Sequence, residues 1–256
     1  MEFEMSQPLT LPQIEERLIQ RIMQPYPKGA PIVAGSTPVV SFGNPIKSTV
    51  VTLGINPSYE EFQDSNKQTL RSGMKRLKDH ETFMGDFRDG LSYEQAQQVL
   101  MGCYNYFEGN PYEWFAEIEK VVLKPFHFDY KSGFAAHLDI IQWATDPVWS
   151  KIENKQDCQD MLDSDADFLR FQLGAYEFKY VLMNGKTVVE QVQSLGIVNL
   201  QEAGTISFGN GEARSKLWRG EVGGKTFLGW NLNIQRHETT ERNKADLTNW
   251  LLTQIS

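Results

Sequence analysis

The chain has 256 residues, of which 40% are hydrophobic and 23% charged. That balance supports a globular core and excludes wholesale disorder; the length fits one large domain or two small ones. A formal net charge of −8 excludes nonspecific coating of nucleic acid, which rests on Lys and Arg, though a local basic face can coexist with an acidic remainder.

Cys103 and Cys158 are the two cysteines and lack any metal-ligand or redox spacing, so they read as free thiols of a reducing compartment. The opening MEFEMSQPLT has no basic segment followed by an apolar run, and the longest apolar stretches fall well short of a membrane span. The expectation is a cytoplasmic protein with no membrane attachment.

Along the chain, Ile14, Leu18, Ile22 and Met23 share one face and predict an amphipathic helix over 11–24. A Pro/Gly-rich passage follows. Ser48–Ile55 is a short β-branched run ending in NPS, which predicts a buried strand and a tight turn. Residues 60–101 are polar and helical in character. Arg71, Lys75, Arg76 and Lys78 cluster there; such a group is usually a solvated helix face and, less often, a contact to DNA phosphates. Tyr112–Leu123 predicts a strongly amphipathic helix, and 137–147 a second strand with a polar end. A helix over Asp157–Leu173, a third strand over Lys179–Asn184 and a helix opened by Gly185 come next. After a Gly-rich loop, Lys225–Ile234 predicts a fourth strand and Arg242–Ile255 a closing helix.

Strands alternating with helices predict βαβ units and a parallel sheet covered on both faces. The expected fold class is α/β, a three-layer α/β/α domain around a central, mainly parallel four-stranded sheet. The whole chain forms one domain, with residues 1–30 as an N-terminal helical extension. Ligands bind such sheets outside the carboxyl ends of the strands, so three places stand out: Asn56-Pro57-Ser58, Gln142 to Asp146, and Asn231 to His237.

GINPS after the first strand resembles the first active-site motif of the uracil-DNA glycosylase superfamily, where branches carry GINPG or GMNPG. The blocks GSTPVVSFG, TLGINPSYEEF, NPYEWF, HLDIIQWATDPVW and LMNG together resemble a bacterial group of glycosylase-like proteins. That likeness spans roughly residues 31–190; the last quarter matches in layout more than in letters.

The resemblance implies a uracil-DNA glycosylase-like fold and hydrolysis of an N-glycosidic bond in DNA. Such chemistry needs a held water, a donor to the base oxygen and a reader of the base edge, with the base first flipped from the stack. No metal or organic cofactor is implied, nor an obligate protein partner. By position, Asn56 matches the residue that places the attacking water; by itself it is also an ordinary turn Asn. Ser58 stands where relatives carry Gly or Tyr near C5 of the pyrimidine, and is equally a common turn residue. Gln142 falls where several branches read the base, an amide that both donates and accepts. Asp139 beside it is a candidate charged group of the cleft, whereas Asp146 before Pro147 reads as a turn residue. Asn231 lies where the fourth-strand motif contacts the base oxygen. Gln235 stands near the residue that enters the DNA stack, and Arg236, His237 and Arg242 are candidates for phosphates. The stretch NLNIQ lacks the family's Pro and Ser.

The expected activity is a monofunctional DNA glycosylase that leaves an abasic site. Its base is a modified pyrimidine, uracil or a hypermodified cytosine such as phage DNA contains, which would make it a repair or an antiviral defence enzyme. The rival expectation is a glycosylase-fold module that binds nucleic acid without cutting it. A different α/β enzyme, such as a nucleotide hydrolase, is disfavoured because GxxxxGK[ST], GxSxG and metal clusters are missing from the sequence.

Overall fold

The apolar β-branched runs become the inside of one sheet. A computed structural model describes residues 9–25, 27, 29–84, 89–208, 213–235 and 239–255. Strands β1 (Val50–Gly54), β2 (Ala135–Asp139) and β3 (Tyr180–Asn184) are buried at every position. Successive strand side chains point to opposite faces, so both faces of this inner sheet are covered. Helices α1 (Leu11–Ile22), α2 (Tyr93–Tyr104), α3 (Trp114–Ile118), α4 (Lys155–Ala175), α5 (Lys186–Ser194) and α6 (Glu241–Gln254) flank it.

The sheet has six strands, in the order β2-β1-β3-β6-β5-β4. β6 (Lys225–Trp230) runs parallel to β3, and β1 runs parallel to both β2 and β3. The four expected strands are therefore neighbours and parallel, but they do not make the whole sheet. Residues read from sequence as a Gly-rich loop form β4 (Gln201–Phe208) and β5 (Ala213–Val222), an antiparallel hairpin that extends the sheet beyond β6. The expected four-stranded sheet is thus corrected to a mixed six-stranded one. The reason lies in the hairpin's exposed face. Glu202 of β4 and Lys216 and Glu221 of β5 are exposed and interrupt its hydrophobic pattern, as an antiparallel hairpin with one solvent-facing side allows. Gly220 is required there, because a Cβ would come within 2.7 Å of the Asn199 carbonyl oxygen.

Two other segments differ from expectation. Residues 60–101 are helical only in short turns at Tyr59–Glu61 and His80–Phe83 and in α2. The Lys75 ammonium is held by Asp79 at 2.7 Å and Glu81 at 3.1 Å, and Arg76 donates to the Glu60 carbonyl at 2.6 Å. This cationic cluster is folded into loop structure rather than displayed on a helix. The helix expected over Tyr112–Leu123 is α3 followed by a π-helical turn over Glu119–Leu123.

Capping sets several helix starts. Thr10 and Gln13 form a capping box at α1, as do Ser92 with Gln95 at α2 and Thr240 with Asn243 at α6. α1 is not an appendage: Leu18 and Ile22 are fully buried. Its Arg21 reaches Asp165 of α4 at 2.8 Å with both side chains almost wholly inside. Asp165 also accepts from the backbone N–H of Gln142 at 3.0 Å, and Arg21 Nε donates to Gln142 Oε1 at 3.3 Å. One buried ionic knot thus joins α1, α4 and the chain leaving β2. No helix among the described residues is long and apolar enough to cross a membrane. Removing the acid of this knot strands a buried guanidinium, so Asp165→Ala should lower unfolding free energy by about 3–5 kcal/mol. Urea denaturation reads this directly, and a loss below about 1 kcal/mol, the level of an exposed pair, would refute the buried character of the pair.

Candidate active site

The register of the parallel ladder lines up the strand ends. Gly54 pairs with Asp139, Leu53 with Met183, and Asn184 with Trp230. Residues just beyond these positions therefore gather at one edge of the sheet. A cavity of about 800 Å³ lies there, lined among others by Asn56, Ser58, Glu61, Asp139, Asn184 and Asn231. Phe42, Tyr112, Trp114, Phe115 and Trp149 supply aromatic wall, and Lys186, Arg214 and Lys216 supply positive charge.

Gly54 makes room for the acid. A Cβ at this position would stand 2.4 Å from Asp139 Oδ1 and 2.8 Å from His137 Nε2, so the first letter of GINPS is dictated by a neighbouring strand. Asp139 Oδ1 meets His137 Nε2 at 3.3 Å, His137 Nδ1 meets Thr52 Oγ1 at 2.8 Å, and Thr52 Oγ1 meets Tyr130 OH at 2.7 Å. The chain is self-consistent when Tyr130 donates to Thr52, Thr52 to Nδ1, and Nε2 carries the proton toward Asp139. Phe115 and Trp114 pack edge-on to His137, at 5.2 and 5.4 Å between ring centres, and fix the imidazole from the sides.

Asn56 is anchored by its amide nitrogen. Nδ2 donates to Thr145 Oγ1 and the Pro57 carbonyl at 3.0 Å, and to the Trp143 carbonyl at 3.4 Å. Its Oδ1 has no donor among the described residues and remains an acceptor. Asn231 is anchored the opposite way: the Trp218 indole N–H donates to its Oδ1 at 2.9 Å. An indole only donates, so the Asn231 amide presents Nδ2 as a donor. Two residues of the lining are thus left with one free acceptor, Asn56 Oδ1, and one free donor group, Asn231 Nδ2. Ser58 lines it too, but its hydroxyl oxygen accepts from the Glu60 N–H at 3.2 Å and caps the following turn.

Gln142 does not join them. It is fully buried, and its Nε2 donates to the Asp139 and Ile140 carbonyls at 3.0 and 3.1 Å, while its Oε1 serves Arg21. The expected base-reading role gives way to a structural one, because the Gln142 side chain turns into the interior toward Arg21, while Thr145 and Trp149 further along the same chain line the cavity. Gln235 is half-buried outside the cavity, its Oε1 accepting from Asn184 Nδ2 at 2.8 Å. Arg242 is exposed in the first turn of α6 and is not part of the lining. Arg236 and His237 lie outside the described residues. Lys75 and Arg76 border a second hollow beside α2, away from the strand ends.

Sequence reasoning missed Glu61. It is 2% exposed yet lines the cavity. Tyr106 OH donates to Glu61 Oε2 at 2.7 Å and accepts from the Tyr112 N–H at 2.9 Å. Burial pushes the Glu61 carboxyl up to about 8; the Tyr106 hydrogen bond and Arg76 pull it down, while Asp139 and Glu60 add to the rise. Its one signal in the sequence is its place five residues after Asn56, inside the block TLGINPSYEEF. His137, the first letter of the block HLDIIQWATDPVW, was likewise missed, as were the cations Lys186, Arg214 and Lys216, which are carried by a helix start and a strand outside any motif.

No known protein-family model and no curated protein matches the chain. Among the described residues there is no group of three or more His, Cys, Asp or Glu placed to hold a metal ion.

Two outcomes follow. Gln142→Ala leaves buried donors and acceptors unpaired and should cost about 1–3 kcal/mol of stability, measured by thermal or urea unfolding; an unchanged midpoint would contradict the structural role. Glu61 keeps its proton from its ordinary value of 4.5 up to about 8. In that window the folded state binds more proton than the unfolded chain, so stability falls as pH rises, by up to about 1.4 kcal/mol per pH unit. Glu61→Gln should remove that part of the slope in a pH series of denaturation curves. A slope identical to that of the parent chain would mean that Glu61 ionises normally.

Proposed function

We propose that this chain is a cytoplasmic monofunctional DNA glycosylase: it flips a pyrimidine, uracil or a modified cytosine, into the strand-end cavity and hydrolyses the bond to its sugar. One observation carries the reading. Asn56 and Asn231, 175 positions apart by number, are brought by parallel register to one cavity and are oriented there as acceptor and donor.

The chemistry follows from those orientations. Asn56 Oδ1 accepts a hydrogen bond from a water and aims its oxygen at C1′ of the sugar. The C1′–N bond breaks, its electron pair goes to the base, and Asn231 Nδ2 donates to the base oxygen where that charge collects. Water adds to C1′ and loses a proton to solvent or to the departing base. Removing the base from the stack costs a few kcal/mol, roughly; the aromatic walls of the cavity offset this by packing against the ring. Lys186, Arg214 and Lys216 bring cations to the lining of an otherwise acidic protein; Lys216 is paired with Glu202 at 2.7 Å and Lys186 lies 3.5 Å from Glu190, so phosphates next to a flipped nucleotide would exchange with these carboxylates.

A cavity of this kind also suits a module that binds DNA without cutting it; the net charge of −8 and the missing Pro and Ser after β6 favour that second reading. Single-turnover cleavage of oligonucleotides carrying uracil, hydroxymethylcytosine or glucosylated cytosine separates the two, read as alkali-labile sites. Asn56→Ala should abolish release with DNA binding nearly intact, because water placement matters in the transition state. Asn231→Ala should slow release about a hundredfold, the effect of losing one donor worth roughly 3 kcal/mol. Release at the parental rate by Asn56→Ala would put the water elsewhere, and binding without any release across the panel would select the non-cutting module.

A further inference from the structure

The proposed reaction uses neither of the two carboxyl groups in the cavity, and burying a carboxyl is costly unless its oxygens are hydrogen-bonded or paired. Each is half-satisfied. Glu61 Oε2 is taken by the Tyr106 hydroxyl, and Asp139 Oδ1 by His137. The second oxygen of each has no hydrogen-bond partner among the described residues, and neither is among the sealed, unpartnered atoms of the interior. Both residues line the same cavity as Asn56 and Asn231.

The two are not equivalent. Tyr106 OH already accepts from the Tyr112 N–H, so its own proton is directed at Glu61 Oε2. An acid proton on Glu61 is thereby left to Oε1, the oxygen without a partner. With the His137 proton on Nε2, Asp139 receives that N–H on Oδ1 and offers its other oxygen as an acceptor. The cavity therefore presents a carboxylic O–H donor and a carboxylate acceptor together.

That pair complements one kind of pyrimidine edge. Cytosine-type bases carry an exocyclic amine that donates and an N3 that accepts; uracil presents an O4 that accepts and an N3–H that donates. We propose that Glu61 and Asp139 form a base-reading pair for cytosine-type pyrimidines, Glu61 donating to N3 and Asp139 accepting from the amine at C4, and that this pair rejects uracil. The assignment rests on the glycosylase reading only for how the base arrives; it narrows the substrate of that same cavity to an amine-bearing pyrimidine. A neutral, buried carboxyl used as a hydrogen-bond donor is a known device of enzyme sites. Burial raises Glu61 to about 8, which supplies that neutral form near neutral pH. The charged and titratable groups around Glu61 are Asp139, Glu60, Arg76, Tyr106 and Tyr112, and His137 adjoins Asp139.

The test uses the full chain with 1-methylcytosine and 1-methyluracil, read by ligand-observed NMR titration on either side of about pH 8. Below that value 1-methylcytosine should bind about tenfold or more tightly than 1-methyluracil, the discrimination of one bidentate pair. Above it the preference should shrink severalfold, because ionised Glu61 repels N3. Glu61→Gln retains an N–H donor and should keep the preference while removing its pH dependence. Asp139→Asn should abolish the preference or invert it toward uracil. Equal or better binding of 1-methyluracil, a preference indifferent to pH in the parent chain, or no binding of either base overturns the assignment. Failure of the glycosylase reading looks different: the cytosine preference is present, but no oligonucleotide yields an abasic site.

Discussion

The absence of a side chain at position 54 is the constraint on which the site depends. Gly54 lies directly across the ladder from Asp139. Any Cβ there would occupy the space of the Asp139 carboxylate and the His137 ring. The gap lets the acid of β2 lie across the end of β1, beside the turn that holds Asn56. A buried sheet cannot yield this space by moving one strand, since β1 is paired on both sides and every residue of it is inside. Overpacking of such an interior typically costs 1–3 kcal/mol, roughly, and here the strain would fall on the proposed base-reading residue itself.

Around that gap the polar side chains are held by groups with one possible role. Indole N–H groups only donate. Trp218 therefore orients Asn231, and Trp230 at 2.9 Å orients Asn184. Asn184 in turn donates to Gln235, so the turn after β6 is tied to the end of β3. Asn56 is held by acceptors on the chain leaving β2. Anchors on rigid strands and aromatic rings keep a donor and an acceptor aimed without reorganisation, the condition under which hydrogen bonds contribute most to a reaction. The same scaffold explains why Gln142 does not take part: its amide stabilises the knot of Arg21 and Asp165 that closes α1 onto the core.

Burial of Glu61 sets a cost against a use. The carboxyl is buried next to Asp139 and Glu60, and it destabilises the fold wherever the unfolded chain would ionise it. Tyr106 and Arg76 reduce that cost without cancelling it. A hydrophobic residue of similar size would be more favourable for stability alone, which is the physical basis for giving Glu61 a chemical task. Its partner Asp139 faces a histidine already committed through Thr52 and Tyr130, so the two acids differ in environment although they share one cavity.

The sequence by itself determined the inner strands and the turns that follow them. VVTLG is a β-branched run and YVLMN a short apolar one, and NPS and NG end them with residues suited to turns, which bounds both at strand length. From these, the gathering of Asn56, Ser58, Asp139 and Asn231 could be anticipated, with Gln142 expected among them, because parallel strands in register place their ends together. Tertiary structure decided the rest. The hairpin of β4 and β5 was illegible because its strands turn one charged side to solvent, which erases the continuous hydrophobic signal of the inner strands. Whether Gln142 or Glu61 faced the cavity depended on how the chain turns after its strand and on what buries the carboxyl, and neither is written in local spacing. The direction of each amide was fixed by an indole or a carbonyl from a distant segment. Local pattern sets where strands form; only packing sets which polar atom is left over to meet a ligand.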